Sequence, residues 1–224
     1  MQYEKFIINF FLPIIIFLSN KNVGLIHQPS QPIDSLHYAN ESHFKNIQQL
    51  TFGGDKCPPN FDRSKYGNKY IWPVYDSYDI FMADMNGKIV KQLTNHNGYD
   101  AEGTLSPDGK KMIFCSTRDG DLDLYVMDLK TEKIKRITST LGYDCGAWFS
   151  PDGKKIVWRA SLPKTDEEIK EYKDLLREGL VAPTKMEVWV ANADGSNAKQ
   201  ITNLGNANWA LNFRPDSKHN IFCT

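Results

Sequence analysis

The carboxylates of residues 119–123 are the first candidates for chemistry, because an aspartate stands at every second position of this segment. Oxygen ligands at this spacing are typical of the start of a calcium-binding loop. An EF-hand loop also needs a glycine at position six and a glutamate at position twelve, and those positions hold Leu124 and Lys130. The segment is therefore interpreted as a turn whose carboxylates accept backbone hydrogen bonds, and no metal site is predicted.

The sequence shows no pattern of catalytic residues. It lacks the Gly-x-Ser-x-Gly pattern of a serine nucleophile elbow. Its histidines are scattered at positions 27, 37, 43, 96 and 219, without the spacing of a zinc-binding helix. We therefore predict that the protein is not an enzyme and has no cofactor.

The strongest signal is an internal repeat. The motif Ser-Pro-Asp-Gly-Lys-Lys begins at Ser106 and again at Ser150, 44 residues later, and a decayed copy begins at Arg214, 64 residues further on. A Leu/Ile-Thr mark keeps the same spacing and ends at Thr94, Thr138 and Thr202. An acidic, strand-like segment recurs in step at 78–84, 122–128 and 186–192. Marks that move together indicate one repeated supersecondary unit.

Each repeat is predicted to contain four short antiparallel strands. Pro-Asp-Gly is typical of a tight turn. Apolar runs follow it at 112–114 and 156–158, and apolar residues alternate with others over 122–126. Four strands in about 44 residues match one blade of a β-propeller. A β-sandwich with coincidental turns is the alternative.

These motifs resemble a known family. Ser-Pro-Asp-Gly-Lys-Lys, the turn Ser116–Gly120 and the strand Asp123–Asp128 are similar to the TolB-like β-propeller repeat, a WD-repeat-like propeller. The resemblance covers about residues 78–224, and residues 44–55 look like the last strand of a further blade. It implies an extracytoplasmic propeller that is used for binding.

The blades do not add up to a closed ring. Residues 99–138 and 143–202 are predicted to form complete blades, whereas 78–94 supply two outer strands and 206–224 two inner strands, which could combine into one composite blade. The predicted fold class is thus an all-β, partial β-propeller of about three four-stranded blades with one short inserted helix. Natural propellers have about four to eight blades. We expect either a shortened form or fragment of a larger propeller, or a ring completed by a partner chain; an open blade edge could also pair with a second copy.

The inserted helix explains why the second repeat is 20 residues longer than the first. Thr165 and Glu168 form a capping-box pattern, and Gly179 stands where a helix-terminating glycine is expected. Apolar residues follow at helical spacing: Ile169, Tyr172, Leu175 and Leu176. The apolar face is expected to pack on the edge of its own blade, and a lid or docking surface is the alternative.

Loops that precede the inner strands of a propeller gather on one face, at the mouth of the central channel. The repeat places eight candidate ligand-binding residues there, aromatic side chains next to carboxylates and amides that suit a peptide or a basic group. They are Tyr99, Asp100, Glu102, Tyr143, Asp144, Asn206, Asn208 and Trp209. The alternative is that Asp100 and Asp144 are structural and bond the backbone of a neighbouring blade.

The four cysteines, at positions 57, 115, 145 and 223, are too widely spread for a disulfide scaffold or a clustered zinc motif. Small buried hydrophobic residues are the default interpretation. A disulfide is left open.

The N-terminus predicts export. Residues 6–18 are almost wholly apolar, a length that suits a signal-peptide core and is short for a membrane span. We assign residues 1–20 to a signal peptide or short anchor, 21–42 to a linker and 43–224 to the incomplete TolB-like propeller. The expected location is extracytoplasmic, periplasmic or secreted, with no stable membrane span after signal removal.

Charge and fold together predict a binding protein. The 224 residues include 27 Lys and Arg against 27 Asp and Glu, so the net charge of zero argues against a nucleic-acid partner. We predict an exported, non-enzymatic propeller that binds a protein or peptide at its channel face. The alternatives are a propeller remnant of a prolyl-oligopeptidase-like hydrolase without its catalytic domain, and a polysaccharide- or surface-associated structural protein.

Overall fold

The computed structural model describes the backbone of residues 14–19 and 63, and residues 64–67, 69–76 and 78–224 with their side chains. The predicted linker 21–42, the strand predicted within 44–55 and Cys57 lie outside the described residues. Of the predicted signal-peptide core, only the backbone of its last part is described.

The described residues form fifteen strands, one α-helix and a four-residue 3-10 turn at Arg63–Tyr66. The helix α1 spans Asp166–Arg177, between β10 and β11. The strands are β1 (Ile14–Ser19), β2 (Trp72–Pro73), β3 (Tyr78–Ala83), β4 (Ile89–Gln92), β5 (Asp100–Leu105), β6 (Lys111–Ser116), β7 (Asp123–Asp128), β8 (Ile134–Arg136), β9 (Tyr143–Phe149), β10 (Lys155–Ser161), β11 (Leu180–Val181), β12 (Glu187–Asn192), β13 (Lys199–Gln200), β14 (Trp209–Phe213) and β15 (Asn220–Cys223).

Two complete blades confirm the predicted repeat unit. Blade one is the antiparallel sheet β5-β6-β7-β8, and blade two is β9-β10-β12-β13 with α1 inserted between its second and third strands. The inner strand β9 contacts β5 on one side and β14 on the other. Inner strands of successive blades therefore lie side by side, as in a propeller.

The two partial blades stay separate. Strands β14 and β15 form a two-stranded sheet, whereas β3 and β4 form a three-stranded sheet with β1. Strand β1 pairs antiparallel with β3 over its whole length, from Ile14 opposite Ala83 to Ser19 opposite Tyr78. The expectation that these two partial blades combine into one composite blade is wrong, because β1 occupies the edge of β3 at which β15 would have paired.

The core lies between the blades. Strands β6, β7 and β10 are buried on both faces, so their central residues form nearly continuous apolar runs. Ile113, Leu124 and Trp158 belong to the largest cluster, which joins blades one and two. Burial of such side chains contributes about 1.5–3 kcal/mol each and holds neighbouring blades together.

One buried hydrogen-bond unit recurs in three successive sheets and explains why two sequence marks move in step. A carboxylate at the start of the third strand accepts a bond from the threonine that ends the Leu/Ile-Thr mark. The threonine oxygen in turn accepts the backbone N–H of the residue that follows the carboxylate. The pairs are Asp79–Thr94 (3.0 Å), Asp123–Thr138 (2.8 Å) and Glu187–Thr202. Each unit ties the third strand of a blade to the segment after its outer strand.

The helix forms as its sequence predicts. The side chain of Thr165 accepts the backbone N–H of Glu168, whose carboxylate accepts the N–H of Thr165. The chain leaves the helix through Gly179, whose φ of 71° favours glycine. Leu175 packs with buried Ile71 and Leu180, whereas Tyr172 and Leu176 pack against the cluster between the blades.

Candidate functional site

The inner strands share a β-bulge that shapes the centre of the molecule. The backbone enters the left-handed region at Glu102 (φ 54°), Gly146 (φ 64°) and Ala210 (φ 52°), which are equivalent positions of the repeat. Strand pairing shifts register at each of these points. A bulge re-aims the side chains next to it, so residues on either side of it do not follow simple alternation.

Arg159 crosses β9 at this bulge. A Cβ atom on Gly146 would lie 1.7 Å from the Arg159 Nη1 atom, so only glycine leaves room for the guanidinium. The Nη2 atom donates to Glu102 Oε1 (2.7 Å) and to the Tyr143 hydroxyl (3.1 Å). The guanidinium also lies 5.0 Å from the ring centroid of Trp209, a cation–π distance. Arg159 thus joins three of the eight predicted site residues.

Two aromatic residues that the sequence analysis did not single out extend this cluster. The Trp72 ring lies 5.4 Å from Trp209 and 6.0 Å from Tyr143. The half-exposed ring of Tyr70 packs edge-on against both tryptophans. The segment before β3 therefore covers one side of the channel centre.

The two aspartates of the predicted mouth, Asp100 and Asp144, are buried and bonded to side chains of their own blade. Asp100 forms a two-oxygen ion pair with Arg118, at 2.9 and 3.1 Å. Asp144 Oδ1 accepts the Trp158 Nε1–H (2.6 Å), while its Oδ2 atom has no hydrogen-bond partner among the described residues. Burial raises the pKa of Asp144 to about 8, and the nearby carboxylates of Asp123 and Asp121 add to this. The bonds link these aspartates to side chains of the same blade, not to the backbone of a neighbouring one.

The two predicted asparagines differ. Asn208, at the repeat position of Asp144, is fully buried and donates from Nδ2 to the Met186 carbonyl oxygen (2.6 Å). Its Oδ1 atom lacks a partner among the described residues. Asn206 is exposed in the loop before β14.

A cleft of about 760 Å³ opens on the channel face. The loop before β5 forms one wall, where Tyr99 exchanges backbone and side-chain hydrogen bonds with Thr117. The C-terminal end of α1 forms the opposite wall, and α1 is tied to blade one by the bond from the Tyr172 hydroxyl to Asp121 (2.6 Å). The cleft is lined by residues 65–66, 73–76, 97–99, 117, 120 and 176–180.

The cleft carries stacked aromatic rings and charges of both signs. The rings of Tyr75 and Tyr78 stack at 4.9 Å, and Tyr78 stacks on Tyr99 at 5.7 Å. Lys65 and Arg177 supply positive charge at the lining, and Asp76 and Glu178 supply negative charge. Of the eight predicted residues, Tyr99 is the one that lines this cleft.

The carboxylates of residues 119–123 are occupied by protein donors. Asp121 accepts the backbone N–H of Leu122 and of Gly142. Asp119 accepts the hydroxyl of Tyr125, and Asp123 accepts bonds from Thr138 and Arg136. These carboxylates therefore stabilise the turn by accepting hydrogen bonds from other protein groups.

A second group of ligating side chains was not predicted. Cys115, Cys145 and Glu102 each offer one ligand atom, and these atoms all lie within 4.8 Å of one another. Both cysteines are free and buried, and burial raises the pKa of each thiol. This group could not be predicted from the sequence, because its three residues are not adjacent in the chain and the direction of the Glu102 side chain depends on the bulge.

Comparison with known proteins agrees with the fold. Residues 71–162 match the family model of the TolB beta propeller domain. No curated protein sequence matches the chain. No helix among the described residues is long and apolar enough to cross a membrane.

Three solved structures are similar to the chain at low identity. TolB from Acinetobacter baumannii is 23% identical with a TM-score of 0.52, and the match covers 66% of this chain and 32% of that chain. A putative TolB from Agrobacterium tumefaciens is 22% identical (TM-score 0.47, 63% of this chain and 47% of that one). A nidogen/laminin complex structure is 12% identical (TM-score 0.46, 68% and 51%). The match thus spans about a third of the length of the first TolB chain. The chain carries a TolB-like β-propeller fold, as a partial propeller with two complete blades among its described residues.

Proposed function

We propose that the protein is an exported, non-enzymatic β-propeller that binds a protein or peptide segment in the cleft on its channel face. The observation that carries the proposal is the cleft itself, of about 760 Å³, between α1 and the loops of blade one. This volume lies within the usual range of ligand sites. Its walls are held by the hydrogen bonds of Thr117 and Tyr172, so little ordering cost falls on binding.

The chemistry of the lining favours a peptide. Tyrosine rings offer large, rigid contact surfaces at a low entropy cost, and they recur at protein interfaces. Charged groups of both signs suit a chain with mixed side chains better than a uniformly charged polymer.

Export is supported by the apolar run at residues 6–18, and the TolB-like fold is consistent with an extracytoplasmic place. Self-association through an open blade edge is a further part of the proposal. Light scattering on the purified full chain tests it, because a monodisperse monomer across a wide concentration range contradicts an edge that pairs with a second copy.

The cleft is tested with a random peptide library displayed on phage and selected on the purified full chain. Affinities of the enriched peptides are measured by fluorescence anisotropy. We expect Tyr99→Ala to weaken them about tenfold or more, as for an interface anchor. Trp148→Ala is the matched control, because Trp148 is 43% exposed on the neighbouring inner strand and does not line the cleft. Failure to enrich any peptide, or equal losses in the two variants, would refute the proposal.

A further inference from the structure

Three ligating side chains converge between blades one and two. Glu102 comes from the bulge of β5, Cys115 from β6 and Cys145 from β9. Their ligand atoms lie within 4.8 Å of one another. The Cys115 Sγ atom is 3.9 Å from Glu102 Oε2. Two sulfurs and one oxygen at this separation are the donor set of a zinc site with three protein ligands.

We propose that Cys115, Cys145 and Glu102 bind a thiophilic divalent ion, Zn²⁺, at the junction of the two blades. Zn–S bonds are about 2.3 Å and Zn–O bonds about 2.0–2.2 Å, so ligand atoms of one ion lie roughly 3.3–3.8 Å apart. The three side chains therefore reach a common ion with small rotations about their own bonds.

Arg159 orients the carboxylate for this role. Its guanidinium binds Glu102 Oε1 at 2.7 Å and leaves Oε2 facing the sulfurs. A ligand whose second oxygen is held by an outer partner is typical of metal sites. Arg159 is itself fixed by the Tyr143 hydroxyl and by the space above Gly146.

The charges of the occupied site balance. Two thiolates and one carboxylate carry three negative charges, and Zn²⁺ with the Arg159 guanidinium carries three positive charges. A neutral group avoids the large cost of an uncompensated charge in the interior. Thiolate ligands favour zinc over calcium or magnesium, which bind through oxygen.

The ion has a route in and an open position. Cys115 and Cys145 are buried to 0% and 1% exposure. The Glu102 side chain is 32% exposed, so the ion can approach along the carboxylate. A tetrahedral ion held by three protein ligands keeps its fourth position for a water molecule.

The test uses the reduced full chain and Co²⁺ as a spectroscopic substitute for Zn²⁺. We expect a thiolate-to-cobalt charge-transfer band and the visible bands of a tetrahedral ion, both lost when Zn²⁺ is added. Cys145→Ser is expected to weaken binding by more than about 100-fold, and Arg159→Lys by about 10- to 100-fold, as for an outer partner. Cys223→Ser is the matched control, because Cys223 is an exposed free cysteine on β15.

A second measurement needs no variant. Bound Zn²⁺ is expected to slow alkylation of Cys115 and Cys145 in the wild-type chain and to leave alkylation of Cys223 unchanged, as read by peptide mass spectrometry. No cobalt band in the fully reduced protein, or the same band in Cys145→Ser as in the wild type, overturns the proposal. The proposal is also overturned if the reduced chain binds no ion and Cys115 and Cys145 instead form a disulfide with oxidised glutathione. Glutathione takes up the two electrons and two protons of that reaction.

Discussion

Asp144 offers a sharp test of the energetics of the inner strands. Its side chain is 3% exposed, and only one of its oxygens has a hydrogen-bond partner among the described residues. The proposed perturbation is Asp144→Asn, which keeps the shape and the acceptor for the Trp158 indole. The chain already tolerates an asparagine at the equivalent repeat position, Asn208.

The pKa of Asp144 fixes the sign and the size of the effect. Burial raises this pKa to about 8 in the folded protein, against about 3.9 in an unfolded chain. Between these values the folded state keeps a proton that the unfolded state releases, so stability falls as pH rises from about 4 to about 8 and is constant above that. One pKa unit corresponds to about 1.4 kcal/mol, so the loss at pH 7 is at most about 4 kcal/mol. Asp144→Asn removes this loss, because the amide does not ionise.

The assay is urea unfolding, followed by tryptophan fluorescence at a series of pH values from 5 to 9. We expect the stability of Asp144→Asn relative to the wild type to rise by about 1.4 kcal/mol per pH unit below pH 8 and then to level off. Asp79 and Asp123 also have pKa values raised by burial, so the difference between the two proteins is the quantity to read. Asp108→Asn is the control, because the Ser106 hydroxyl lowers the pKa of exposed Asp108. Asp108 is therefore ionised in both the folded and the unfolded state from pH 5 to 9, and the stability of this variant relative to the wild type is expected to stay constant over that range. Parallel curves for Asp144→Asn and the wild type would refute the reasoning.

Three further substitutions test the fold, each by urea unfolding. Gly146→Ala should lower the free energy of unfolding by several kcal/mol, because its Cβ would lie 1.7 Å from Arg159 Nη1. Gly109→Ala is the control: Gly109 has a similar φ of 68° and no atom within 4 Å of a Cβ, so the loss should be only about 1 kcal/mol. Equal losses in the two variants would contradict the predicted clash. Thr138→Val should cost about 1–3 kcal/mol, since a buried carboxylate and a backbone N–H lose a partner; an unchanged midpoint would show that this unit is not stabilising. Thr165→Ala should lower the free energy of unfolding by about 1 kcal/mol, because the helix loses its N-cap. No change would show that tertiary packing, and not the cap, fixes the start of the helix.

The repeat was readable from the sequence because it rests on local chemistry. Turn motifs at Ser106 and Ser150, strand periodicity and the capping box at Thr165 each depend on a few neighbouring residues. The marks at Asp123 and Thr138 kept their spacing because they are bonded to each other. Local rules of this kind predicted both complete blades and the helix.

The contacts at the centre of the molecule were harder to predict, because they join residues that are far apart in the sequence. Cys115 and Arg159 occupy the same position of successive repeats, yet one stays beside its own strand and the other crosses β9. The difference follows from Gly146, whose missing side chain opens a path for the guanidinium. No pattern of spacing reports such a gap, so the sequence named Glu102, Tyr143 and Trp209 without the arginine that joins them.

The ladder between β1 and β3 links the proposed signal cleavage to the structure of this sheet. All six residues of β3 are paired with Ile14–Ser19. Strand β1 falls within residues 1–20, the segment expected to be removed on export. A chain cut after residue 20 would present a bare row of N–H and C=O groups along β3, a template for any extended peptide that reaches it. Under the proposed export, the mass of the mature polypeptide therefore shows whether residues 14–19 still cover the edge of β3 or leave it free to pair with a foreign strand.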